Sequence, residues 1–382
     1  MRALLLICAL AVWTGTAQAQ VQGQALYDEG LRYHEGQGVV QDYARAAALM
    51  EQAAQAGHPG AQAHLGGYYY TGLGVAQNLA QALHWLEAAA AQGDPAHAYA
   101  LAQVLETNPA TLPRTVSLYQ QAVAEGYGPA MVSLGVLYQE GKGVAQDLDR
   151  ARQLYEGPAQ NGNGRALNNL GLLYVRGSGV AQDYGYAAQL FAAAAELGVT
   201  QAMTNLGVLY ENGFGVPLDE ARAATLYRMA AGAEAAPDAP QDPYGLAYDP
   251  RLVPAPTQGA ALEALQQAAA TGDPVARFQL GWLLLHKIET TAADDRQGAL
   301  HLKALAEMGH GPSMHNLGQL YVAGRGVPQD YMLGFMWLTL AASTGFDPAR
   351  PALEALQSKA TPDQINAAQA RAQSWAQARR QP

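Results

Sequence analysis

LGLLYVRGSGVAQD, residues 170–183, is the stretch on which the fold turns. It reads Gly-x-x-Tyr-x-x-Gly-x-Gly-Val. Five other stretches carry the same pattern: EGLRYHEGQGVVQD (29–42), LGGYYYTGLGVAQN (65–78), LGVLYQEGKGVAQD (134–147), LGVLYENGFGVPLD (206–219) and LGQLYVAGRGVPQD (317–330). Their leading glycines are Gly30, Gly66, Gly135, Gly171, Gly207 and Gly318, and their tyrosines are Tyr33, Tyr69, Tyr138, Tyr174, Tyr210 and Tyr321. Gly30 and Gly66 stand 36 residues apart, as do Gly135 and Gly171, and Gly171 and Gly207. Two weaker copies keep the beat, with Ala102 36 residues after Gly66 and Gly281 37 residues before Gly318. A fixed period of this length is the signature of a repeat array.

Each unit reads as two helices. Ala166, Leu170, Leu173 and Tyr174 fall on one stripe of an amphipathic helix. An alanine recurs five residues before the leading glycine (Ala25, Ala61, Ala130, Ala166, Ala202, Ala276), where a small side chain lets helices approach closely. The Gly-x-Gly then ends the first helix, because glycine takes left-handed angles without penalty. The aspartate that follows (Asp42, Asp147, Asp183, Asp219, Asp330) can cap a second helix. In that helix Ala46, Ala82, Ala151, Ala187 and Ala223 are each followed four residues later by a bulky residue: Met50, Leu86, Tyr155, Phe191 and Tyr227. One helical pair cannot bury both apolar faces, whereas stacked pairs can. The expected fold is all-α, a right-handed superhelical solenoid of antiparallel helix pairs with a concave and a convex face.

The pattern resembles the Sel1-like repeat, a relative of the tetratricopeptide repeat with a slightly longer unit, over most of residues 21–345. The resemblance implies that the first helix of each pair lines a concave groove. It also implies a role as an adaptor. Similar proteins restrain sensor kinases in the periplasm, help assemble secretion or envelope machinery, or act outside the cell on a host. Cysteine-rich members are linked to penicillin binding. The paired cysteines are missing here, so that activity is not carried over.

Two segments break the rhythm. Residues 233–258 hold six prolines where a first helix is due, which forbids a regular helix. They read as a loop or hinge, or as a passively tolerated surface insertion. Residues 259–273 again resemble a second helix. Near the end, Thr361-Pro362-Asp363-Gln364 is a helix start with N-cap, N1 proline and N3 glutamine. Its helix would place Ile365, Ala368, Ala372 and Trp375 on one face and would cap the array with a polar outer side. The resulting partition is a leader (1–19), a repeat array (21–232), the proline-rich stretch (233–258), further repeats (259–345), and a capping helix with tail (346–382).

The first residues, MRALLLICALAVWTGTAQAQ, have the charge, the short apolar core and the Ala-Gln-Ala site of a cleavable signal peptide. Cleavage after Ala19 would deliver a protein to the periplasm or, alternatively, the medium. The apolar run is too short for a membrane span. No later run is longer, so no direct membrane insertion is expected after cleavage. The only cysteine, Cys8, would leave with the leader, which excludes a disulfide framework and cysteine-based metal sites. With 22 basic and 32 acidic residues the net charge is −10, unsuited to nucleic acid, whose phosphates need clustered Lys and Arg.

A search for chemistry returns little. There is no Ser-x-x-Lys, Gly-x-Ser-x-Gly or His-Glu-x-x-His. Glu140-Gly141-Lys142-Gly143 lacks the Ser/Thr of a phosphate loop. His58/His64 and His310/His315 look like metal pairs. Yet His58 and His310 hold the same repeat position, which suits a helix start. No metal and no cofactor are expected, and a cell-wall hydrolase would need paired carboxylates that no spacing supplies. The stronger candidates are Asn169, Asn205 and Asn316, each just before the Leu-Gly of a first helix. An asparagine amide offers a donor and an acceptor together, enough to grip an extended peptide backbone or simply to satisfy a neighbouring carbonyl. Tyr68, Tyr70, Arg176, Glu211 and Asn212 lie nearby in sequence and are further groove candidates; the repeated tyrosines suit packing better. The expected function is a non-enzymatic adaptor of the cell envelope. Its partner would be a protein or peptide, such as a membrane sensor or an envelope complex, with a neutral or basic segment favoured by the chain's charge. A secreted host-interacting factor is the alternative.

Overall fold

The computed structural model describes residues 20–231, 244–287 and 289–379; their regular structure is all helix, without a strand among the described residues. The expected leader and residues 233–243 of the proline-rich stretch lie outside them.

One unit shows how the motif works. Its first helix, Gly164–Arg176, stops at Gly177, whose φ of +63° is open to glycine and costly for other residues. The N–H of Asp183 then donates to the Tyr174 carbonyl at 3.1 Å, closing the turn. The Asp183 carboxylate accepts from the N–H of Tyr186 at 2.9 Å and starts the second helix, Tyr184–Glu196. Gln182 Nε2 donates to the Val175 carbonyl at 2.8 Å. The same bonds recur around Asp147 with Tyr138 and Gln146 with Gln139, and around Asp330 with Tyr321 and Gln329 with Val322. The repeated tyrosines are half-buried, and their carbonyls serve the turn. A bulky side chain of the second helix fills the space beside the leading glycine. Phe191, fully buried, lies over Gly171, where an added Cβ would sit 2.6 Å from the ring; Tyr155 covers Gly135 and the half-buried Tyr227 covers Gly207. At Gly30 and Gly318 the space of a methyl is taken by Met50 and Leu338.

The chain forms two compact units. The first joins residues 1–82 to 241–382. Its described helices are α1 (20–35), α2 (Tyr43–Gln55), α3 (Pro59–Thr71), α13 (Gly259–Thr271), α14 (Pro274–Leu285), α15 (Ala292–Glu307), α16 (Gly311–Ala323), α17 (Tyr331–Ser343), α18 (Ala349–Gln357) and α19 (Pro362–Ala378). The boundary falls inside α4 (Leu79–Ala90). The second unit, residues 83–240, holds α5 (Pro95–Glu106), α6 (Leu112–Ala124), α7 (Gly128–Glu140), α8 (Leu148–Gln160), α9 and α10 (the two helices described above), α11 (Thr200–Asn212) and α12 (Glu220–Ala230). In both, helices pack on their sequence neighbours as antiparallel pairs, with the core between pairs. Among the described residues no helix is long and apolar enough to cross a membrane.

The last helix does more than cap. The capping box at Thr361 and Gln364 forms, and Ile365, Ala368 and Ala372 are buried. Asp363, Arg371 and Ser374 are exposed, but a further polar flank meets main chain instead of water. Asn366 Oδ1 accepts from the N–H of Gly74 at 2.8 Å while its Nδ2 donates to the Gly72 carbonyl at 2.9 Å. Gln369 accepts from the Tyr43 N–H, and Gln373 donates to the Val40 carbonyl at 3.0 Å. The polar stripe of α19 satisfies main-chain groups that the first two turns leave open.

Candidate functional site

The site is built on α14 and α16, both first helices of the first unit, and on residues 244–253 of the proline-rich stretch. Residues 245–249 run as extended chain between the two helices, antiparallel to α16, and the chain then turns, the Leu252 N–H donating to the Asp249 carbonyl at 3.1 Å. Tyr244 stacks on Arg325, just beyond the C-terminal end of α16, with the guanidinium 4.5 Å from the ring centre. The Gly245 carbonyl accepts from His315 Nε2 at 2.9 Å. Ala247 is held twice by Asn316: its N–H donates to Oδ1 at 2.8 Å and its carbonyl accepts from Nδ2 at 2.9 Å. Asp249 reaches His310 at the start of α16, with Oδ2 3.0 Å from Nε2. The Val253 carbonyl accepts from Gln279 Nε2 of α14 at 2.9 Å.

Three side chains of the segment point inward. Leu246 enters a core with Phe278, Leu302 and Leu320. Tyr248 packs against Phe278 and Trp282, with ring centres 5.5 and 5.2 Å apart. Asp249 is only 2% exposed, and Arg251 closes on it with two bonds of 2.9 and 2.8 Å. A carboxylate that deeply placed needs such partners to stay charged; Arg251 above all holds it well below the usual carboxylate range. Residues 246–249 are thus packed into the unit, while Pro250, Arg251, Val253 and Pro254 are exposed.

Asp249, His310 and Ser313 form a chain that invites a catalytic reading. His310 Nδ1 lies 2.8 Å from Ser313 Oγ and Nε2 faces Asp249. A carboxylate only accepts, so Nε2 carries the proton and Nδ1 accepts from the serine hydroxyl. Ser313, however, has no exposed surface, so its oxygen cannot meet a substrate. The arrangement fixes the segment to the start of α16.

The other candidates do not converge. Asn205 Nδ2 donates to Asn168 Oδ1 at 2.9 Å, tying α11 to α9, and Asn168 leans on Asn169 at 3.4 Å. Tyr68 is buried among rings, its hydroxyl 2.8 Å from His34 Nδ1, and burial pushes that hydroxyl's pKa up. The Tyr70 carbonyl accepts from Gln77. Arg176 is exposed at the end of α9. Asn212 bonds its own helix at Val208, and Glu211 accepts from Tyr227. His58 caps α3 through Nδ1, accepting from Ala61 at 3.1 Å. Among the described residues no group of His, Cys, Asp or Glu could hold a metal ion.

Sequence reading missed Gln279, weighed His315 only as a metal ligand, and read the segment only as a loop, hinge or insertion. Gln279 stands just before Leu280-Gly281, the register of Asn316 before Leu317-Gly318. Reading that register for any amide side chain would have found it.

The repeat geometry and the peptide-like grip are those of an interaction scaffold, and the comparisons agree. The Sel1 repeat model matches residues 23–58, 59–94, 128–156, 164–199, 200–233 and 311–346, more than half of the chain, which therefore belongs to the Sel1 repeat family. The two weaker copies fall outside the matches. Among solved structures the chain is similar to c5321, described as a protective antigen of uropathogenic Escherichia coli with the same repeat fold. Identity is 23%, coverage 96% of this chain and 94% of that one, and the TM-score 0.50. It is also similar to a Sel1 repeat protein from Oxalobacter formigenes, at 28% identity over 58% of this chain and 89% of that one, with a TM-score of 0.52. No curated protein matches it. Proteins of this family are in general protein-interaction scaffolds, without catalysis of their own.

Proposed function

We propose that the chain is a non-enzymatic adaptor of the cell envelope that holds an extended segment of a partner protein along its first helices. The observation that carries this reading is the paired bond between Asn316 and Ala247, in which one amide satisfies both main-chain groups of one residue. Such a grip recognises extended backbone whatever its side chains. Asn169 and Asn205 occupy the same register in the second unit and are only half-buried. The N-terminal charge, apolar core and small-residue site support export with cleavage after Ala19. The excess of acidic residues favours a neutral or basic partner segment.

Crosslinking the protein in its own envelope tests this reading. One stoichiometric partner is expected, together with loss of that partner when Asn169 and Asn205 are changed to alanine. A partner retained by the double variant would remove the groove from the account. A protein recovered only from the medium, without an envelope partner, would favour a secreted factor.

A further inference from the structure

We propose that residues 244–253 are an internal, exchangeable ligand, and that the partner displacing them is an extended protein segment of like pattern: a leucine, an aromatic residue two places on, and an aspartate directly after it. This rests on reading the groove as a peptide site. Five bonds to the segment come from three groove side chains, Asn316, His315 and Gln279; four go to main-chain atoms and one, from Gln279 at 3.2 Å, to the Tyr248 hydroxyl. The three at Gly245 and Ala247 would hold another extended chain equally well. Selection falls to the three inward side chains. Leu246 needs an apolar socket, Tyr248 a ring to meet Phe278 and Trp282, and Asp249 the proton on His310.

The internal ligand fits incompletely, and that is the argument for exchange. Beside Leu252 a cavity of about 450 Å³ remains, walled by Val275, Phe278, Leu305 and Met308. Val275 and Met308 are 46% and 58% exposed, which is much apolar surface left to water at one spot. Beyond the anchors the segment lets go, with Val253 76% exposed. A partner with a larger apolar residue in the place of Leu252 would keep every main-chain bond and fill that cavity. The segment also breaks the helical rhythm of the array, with Pro243 before it and Pro254 and Pro256 after it, so no helix hydrogen bond is lost when it leaves.

The test uses the full chain and labelled peptide GLAYDPRLV, together with its Leu252→Trp version. A tethered ligand acts at an effective concentration on the order of millimolar, so micromolar peptide should bind the unaltered protein poorly. Tyr248→Ala with Asp249→Ala weakens the internal ligand and leaves the groove intact. Apparent affinity should then rise about tenfold or more, because the competent fraction rises. The tryptophan peptide should bind more tightly than its parent, and adding Asn316→Ala should abolish the gain. A second measurement needs no variant. A millimolar peptide GLAYDPQLV, which trypsin cannot cut, should speed tryptic cleavage of the unaltered chain after Arg251 several-fold, whereas a scrambled version of it should not. A folded variant that binds neither peptide better than the scrambled one, or a tryptic rate indifferent to peptide sequence, overturns the proposal. Partner capture that depends on Asn169 and Asn205 would survive that result, so the two failures can be told apart.

Discussion

The backbone N–H of Tyr43 donates to Oε1 of Gln369, 326 residues further along the chain, at 2.9 Å. In the first unit the last helix is therefore part of the first repeat's wall. Asn366 ties it to the second repeat as well, with two bonds, to Gly72 and Gly74. Asn366→Ala leaves one donor and one acceptor without their partner. The expected loss is about 1–3 kcal/mol in urea unfolding. Asn366→Asp keeps the acceptor and should lose less. A variant as stable as the parent would mean that water serves the two groups.

Gly171 and Phe191 make a second prediction. An alanine at 171 puts its methyl 2.6 Å from the Phe191 ring, and the ring is enclosed. Gly171→Ala should destabilise the protein by about 1–3 kcal/mol through overpacking. Phe191→Leu, costly alone, should cost less in the Gly171→Ala background. A double-mutant cycle reads the coupling directly, and additive losses would show that the pair does not share the space.

Acid should weaken the first unit. His310 and His315 both hold their imidazoles below the ordinary value of 6.5, burial being the main cause. Asp249 opposes that shift at His310, and the Gly245 carbonyl opposes it at His315, in neither case enough. The unfolded chain then binds protons that the folded chain refuses. Stability is full above the ordinary histidine value and falls as pH drops through it towards the folded value. The urea midpoint should be lower at about pH 5.5 than at about pH 7.5, and His315→Asn should flatten that dependence. Asp249 acts in a different window. Its carboxyl is held below the ordinary aspartate value of 3.8, so its contribution is present above that value and is lost only in stronger acid.

The turn aspartates offer a fourth test. Asp183→Ala removes the acceptor for the N–H of Tyr186 and should cost about 1 kcal/mol, whereas Asp183→Asn should cost little. Equal losses would point to charge rather than to the cap.

Most of the local architecture was legible because the motif states its own mechanics. Gly177 ends a helix and Asp183 begins one, whereas the pairing of Gly171 with Phe191 emerged only in the structure. The first two depend on neighbours in sequence, the pairing on a partner one helix away. The proline-rich stretch was legible only as an interruption. An extended segment has no period, and nothing in GLAYDPRLV announces that Asn316 will hold its backbone. The stripe of Asn366, Gln369 and Gln373 on α19 reads as a wet surface. A polar face has the same composition whether its partner is water or a distant turn. The grouping of residues 1–82 with 241–382 was beyond reach for the same reason, since local pattern carries no record of long-range pairing.

The groove divides its labour in a way that bears on how such proteins diversify. Asn316, His315 and Gln279 meet main-chain atoms that every extended segment possesses. Were the groove to take a partner segment as proposed, discrimination would rest elsewhere, on the wall formed by Val275 and Met308 and on the socket around Leu246. Retargeting it would then require no change in Asn316, His315 or Gln279. A lineage could redraw its list of partners by drift at a few apolar positions, while the asparagine that closes on the chain stays in place.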